Sequence, residues 1–120
     1  MTSAVFVFLG GGLGAVARYG LDSGLKRISP IKDFPVGILV CNLLGCFFIG
    51  IALGYLSRGA PAWFSPLVIT GFLGGFTTFS TFSRDNFHLL EGGLTGMAAA
   101  NVVLSVIPGL LAVWAGLKIA

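Results

Sequence analysis

Nine polar or aromatic side chains in an otherwise apolar sequence have types and spacings that could do chemistry. Asn42 interrupts the run Val36 to Leu56. Asn101 and Ser105 stand four apart in the run Leu94 to Leu117, a spacing that puts them on one helical face. Between these runs lies GFLGGFTTFSTFSRDNFH, Gly71 to His88, where Phe79 and Phe82 recur at i,i+3 beside Ser80, Ser83 and the i,i+4 pair Thr77 and Thr81. Two Phe at helical spacing ordinarily mean packing. A phenyl ring nevertheless has an electropositive edge. Ring edges set beside hydroxyl donors could replace the water around a small anion. Polar groups at membrane depth are costly and face protein or a water-filled cavity. Asn42 therefore fits either an interhelical hydrogen bond or a permeation path. Ser105 reads as structural, because Ser can bond its own helix backbone.

These groups must be held by membrane helices. The chain has 120 residues, 56% of them hydrophobic and only 9% charged, against roughly 25% charged in an ordinary soluble domain. A surface so poor in charge belongs in lipid. A spanning helix needs about 20 apolar residues, and four such stretches appear, at about 4–21, 36–56, 63–90 and 94–117. The expected fold is a single all-α integral membrane domain with a broken third helix. A polar loop is expected from Asp22 to Pro35 and tight turns at Ser57 to Pro61 and Glu91 to Gly93. Trp63 and Trp114 fall near span ends, where amphipathic rings favour the interface. The apolar N-terminal stretch lacks a basic leader, so a secretory signal peptide is not expected.

Glycine supplies 19 of the residues. Gly37, Cys41 and Gly45 repeat every four positions, as do Gly10 with Gly14 and Gly50 with Gly54, and small residues so spaced let helix backbones approach closely in lipid. Gly74-Gly75, in mid-span, is where the third helix is expected to break. Broken backbone at that depth must be buried in protein or line a cavity, and its freed carbonyls can coordinate a cation. Pro108 removes one intrahelical bond and frees the Leu104 carbonyl.

Charge and composition exclude several classes. A net charge of +3 gives no support for nucleic-acid binding. Cys41 and Cys46 have no metal-type spacing and read as small packing residues. The sole His, His88, sits beside Arg84 and Asp85 in an interfacial cluster, and no His/Cys/carboxylate set suits a catalytic metal, so an enzyme is not expected. The loop charges are too evenly divided for the positive-inside rule to fix an orientation, so insertion in either sense is permitted.

The segments GGGLGAVARYG (Gly10 to Gly20), GILVCNLLGCFFIG (Gly37 to Gly50) and GFLGGFTTFSTFS (Gly71 to Ser83) resemble the small fluoride channels of the Fluc, or CrcB, family, over essentially the whole chain. The resemblance implies an antiparallel, dual-topology homodimer in the cytoplasmic membrane. It would enclose two pores and passively export toxic fluoride, with strong selectivity over chloride. By position, it makes Asn42 a pore asparagine and Phe79 and Phe82 the rings whose edges face fluoride. Ser80, Thr81 and Ser105 then fall on a polar track. Asn101 joins that track where the family often holds Tyr or another hydroxyl residue. Gly74 and Thr77 match positions whose main-chain carbonyls bind a structural Na⁺ at the dimer centre. Arg18 matches an arginine at the end of the first helix, near an aqueous vestibule. A small four-helix dual-topology multidrug exporter is the rival reading. It should carry a cation-binding carboxylate inside a span, and no span interior has one; the nearest acid, Asp85, comes late in the third.

Overall fold

Residues 2–120 are described by a computed structural model, and within them the protein is all-helical. Helix α1 spans Thr2–Ile28, α2 Val36–Ser57, α3 Ser65–Leu73, α4 Gly74–Phe76, α5 Phe79–Glu91 and α6 Thr95–Ile119. Helices α1, α2 and α6 are each long and apolar enough to cross a membrane. The stretch expected as the third span is instead assembled from α3, α4 and α5. The pieces differ in winding: α3 is a π-helix, α4 a single α-turn, and the chain is extended at Thr77 (φ −94°, ψ 154°) and Thr78 (φ −152°, ψ 130°) before α5 begins.

Two of the sequence-based boundaries shift. The first helix continues past Leu21 through Asp22, Lys26 and Arg27, residues expected to lie in a loop. An i,i+4 ion pair, Lys26 Nζ to Asp22 Oδ2 at 3.0 Å, runs along this added turn, and its basic residues suit a helix C-terminus. The break in the third span falls at Thr77-Thr78 rather than at Gly74-Gly75. Gly74 itself is helical (φ −62°, ψ −37°), so the paired glycines do not unwind the chain, and Gly75 serves packing against α1.

That packing is backbone on backbone. The most extensive contacts join α2 to α6 and α1 to α3. A Cβ on Gly14 would collide with the Phe72 carbonyl, and one on Gly75 with the Gly11 carbonyl. On the other seam Gly50 and Gly116 lie against each other's helix, where a Cβ on either would meet main-chain atoms at 3.0 Å or less. In lipid, where apolar surface gives no drive to associate, this closeness is what dispersion forces need. The repeats Gly10 with Gly14 and Gly50 with Gly54 thus lie on two seams, while Gly37 faces Asp22 of α1 and Gly45 faces Thr77 of the broken segment.

The turn into α6 closes with a Schellman motif. Leu94 N–H donates to the Leu89 carbonyl at 2.8 Å and Gly93 N–H to Leu90 at 3.1 Å. Gly93 takes φ +77°, a left-handed conformation that glycine adopts without Cβ strain.

Candidate ion-conduction site

At the break the backbone leaves its helix, and side chains from distant helices take over its hydrogen bonds. The Asn42 amide on α2 pairs with Thr78 as a neighbouring strand would. Thr78 N–H donates to Asn42 Oδ1 at 2.9 Å, and Asn42 Nδ2 donates to the Thr78 carbonyl at 3.3 Å. Arg18 on α1 donates its Nε–H to the Gly75 carbonyl at 3.1 Å. Thr77 turns its hydroxyl back to the Leu73 carbonyl at 2.9 Å. The carbonyls of Gly74, Phe76 and Thr77 have no protein donor among the described residues.

Thr78 also starts the next helix. Its Oγ1 accepts from Thr81 N–H at 3.3 Å, an N-cap that satisfies one orphan amide of α5. The same hydroxyl donates to Thr81 Oγ1 at 3.4 Å and lies 3.4 Å from Ser80 Oγ. Thr78 therefore links Asn42 to the hydroxyl row, a role that sequence reading missed. The available signal was its position: a Thr ahead of an amphipathic segment is an N-cap candidate.

Beside the break an open groove of about 550 Å³ runs between α2, the broken segment and α6, with Asn42, Gly74, Thr77, Thr78, Phe79, Phe82 and Ser105 in its wall. Gly45, Cys46 and apolar Ile49, Ile69, Leu73 and Val106 complete it, and no carboxylate lines it among the described residues. Phe79 and Phe82 lie with ring centroids 6.0 Å apart and planes tilted by 38°. Phe79 is 79% exposed in the single chain, so the groove presents this residue outward instead of burying it in a core.

Not every residue named from sequence joins this groove. Ser80 and Thr81 reach it only through Thr78. Asn101 stays outside it: the residue is 2% exposed, and its Nδ2 donates to Asn86 Oδ1 on α5 at 2.9 Å. Ser105 Oγ reaches Asn101 Oδ1 at 3.5 Å, the link between that buried pair and the groove. Asn86 was a second omission from the sequence reading. Arg18 also lies off the groove. It stands well inside α1, ten residues before the end at Ile28, and not at a helix terminus. Its placement differs because the helix is longer than the apolar stretch alone implies.

The family model described as "CrcB-like protein, Camphor Resistance (CrcB)" matches residues 5–117. A protein of Francisella philomiragia named "Fluoride-specific ion channel FluC" is 41% identical over 118 residues, covering 93% of this chain and 89% of its own length. "Fluoride-specific ion channel FluC 2" of Symbiobacterium thermophilum is 45% identical over 117 residues, covering 95% and 94%. A Coxiella burnetii protein, again named "Fluoride-specific ion channel FluC", is 44% identical over 121 residues, covering 98% and 96%.

Proposed function

The chain belongs to the CrcB family and is a multi-pass membrane protein, and on that premise we propose that it is a passive, fluoride-selective ion channel and not an enzyme. The observation that carries the reading is the composition of the groove. Two phenyl rings, an amide and hydroxyls line it, and no fixed negative charge repels an anion. Fluoride is small and strongly hydrated. A dry site conducts it only by replacing water with donors, and ring edges with hydroxyl and amide hydrogens are such donors. Passive conduction is favoured over proton-coupled exchange because no carboxylate or His stands in the groove among the described residues.

The assembly we propose is an antiparallel, dual-topology homodimer in the cytoplasmic membrane. The groove is open along one side in the single chain, so a second copy is the economical way to wall a pore, and two copies would give two. Evenly divided loop charge suits insertion in both senses. A structural Na⁺ would sit where the third spans meet. The uncapped carbonyls of Gly74 and Thr77, both at the groove wall, support this, since unpaired backbone groups in hydrocarbon cost several kcal/mol each. Oxygen ligation without acidic side chains suits a monovalent ion.

The test is fluoride efflux from liposomes that contain only this protein, with chloride as the control ion. Strong fluoride efflux with little chloride efflux is expected, and comparable fluxes would reject the reading. Phe79→Ile and Phe82→Ile keep the site apolar while removing the ring edge. Each should lower fluoride flux at least tenfold in protein that still purifies as the wild type does. An experimentally determined assembly with nothing between the Gly74 and Thr77 carbonyls would remove the Na⁺ from the scheme.

A further inference from the structure

Arg18 lies well inside α1, and among the described residues it neither lines the groove nor has an acidic partner within ion-pair distance. What it holds is a main-chain carbonyl. We propose that Arg18 is a positioning residue for conduction: its Nε–H, and not its charge, anchors Gly75 and thereby sets the break that presents Phe79 to the groove.

Three observations carry this. The Nε to Gly75 carbonyl bond, 3.1 Å long, joins residues 57 apart in sequence and ties α1 directly to α4. Gly75 is two residues before the extended pair Thr77-Thr78, so its carbonyl is one whose helical partner is lost at the break. The anchor also has a counterpart across the break. Arg18 holds the carbonyl of Gly75 and Asn42 that of Thr78, two positions three apart in the chain. The carbonyls of Gly74 and Thr77, with the same spacing one residue earlier, remain without a protein donor. The two side chains thus fix the segment from α1 and α2, and they cap the Gly75 and Thr78 carbonyls while those of Gly74 and Thr77, residues of the groove wall, stay open. The inference rests on the channel reading for its flux readout alone.

The chemistry of the donor gives an unusual test. Counting outward from Cβ, Arg Nε is the fourth side-chain atom, and so is the amide nitrogen of Gln. Lys has a methylene there, with its ammonium one atom beyond, and Met has a methyl. If position of the donor matters, the neutral Gln should serve better than the charged Lys. A charge that draws anions inward would give the reverse order.

The experiment compares Arg18→Gln, Arg18→Lys and Arg18→Met in liposome efflux and in hydrogen exchange of peptides covering Thr77 and Thr78. Arg18→Gln should keep fluoride flux within about threefold of wild type and leave exchange at the break unchanged. Arg18→Lys and Arg18→Met should each lose about tenfold, the equilibrium factor for one buried carbonyl left unpaired. Both should exchange faster at the break while α6 stays protected, which a general loss of stability would not do. Lys outperforming Gln in flux, or equal exchange in all three variants, would overturn the proposal. If the wild type itself passes no fluoride, the channel reading fails, and the exchange pattern alone decides the role of Arg18.

Discussion

Asn42 and Asn101 are the same residue type, each about two turns into a membrane helix, yet the fold uses them in opposite ways. Asn42 faces the groove and gives both ends of its amide to the backbone of Thr78. Asn101 is sealed in the interior, where it bonds the side chains of Asn86 and Ser105. The difference lies in whether the partner could be removed along with it. A main-chain amide and carbonyl are obligatory and stay behind when their cap is deleted. A side-chain partner can be replaced too. Intramembrane polarity is therefore a poor measure of function until the partner is known.

The largest effect should come from Asn42→Leu. It strands the Thr78 N–H and C=O together, each at about 1–3 kcal/mol, and removes a donor from the groove. Fluoride efflux should fall below detection, with loss of thermal stability measured in detergent. Asn42→Asp sharpens the point. Its carboxylate can still accept from Thr78 N–H, but it offers the Thr78 carbonyl no donor when ionised. It also adds a fixed charge that repels anions by roughly several kcal/mol at low effective dielectric. Flux should again collapse, with a smaller loss of stability than for Leu. Wild-type flux in either variant would break the comparison at its first term.

An intermediate effect is expected at the buried pair. Asn101→Leu leaves Asn86 Oδ1 without its donor and should cost about 1–3 kcal/mol. The double variant Asn86→Leu/Asn101→Leu removes both partners and should recover most of that loss, with fluoride selectivity retained. This double-mutant cycle would contradict the comparison if the two single losses simply added. The smallest effect is expected for Ser105→Ala. Its bond to Asn101 is long at 3.5 Å, so stability should change by less than about 1 kcal/mol. A fall in flux without a change in melting temperature would then report its place in the groove wall directly.

The break in the third span illustrates how far sequence reading reaches. That this stretch must be interrupted follows from its composition, where Gly, Thr and Ser crowd an apolar run beside a charge pair. The position of the interruption does not. Glycine's weak helix propensity pointed to Gly74-Gly75, but both stay helical, Gly75 pressed against the Gly11 backbone of α1. The chain opens at Thr77-Thr78, where Asn42 waits 36 residues away to take the bonds that the helix gives up. Asn101 stands apart from the groove in the single chain for a related reason. Sharing a helical face with Ser105 fixes direction, not depth, and α5 lies over that end of the face.

The sequence by itself determined the class, because a chain with so few charges has nowhere to be but lipid. Its segments fixed the family, and its residues supplied the ring edges and hydroxyls that an anion path requires. Only the tertiary structure decided which carbonyls are capped, which Asn meets the groove, and that Arg18 acts on backbone. Those outcomes depend on side chains reaching across helices to main-chain groups tens of residues away. Local periodicity describes the faces of one helix, and it contains no term for the neighbour that satisfies them.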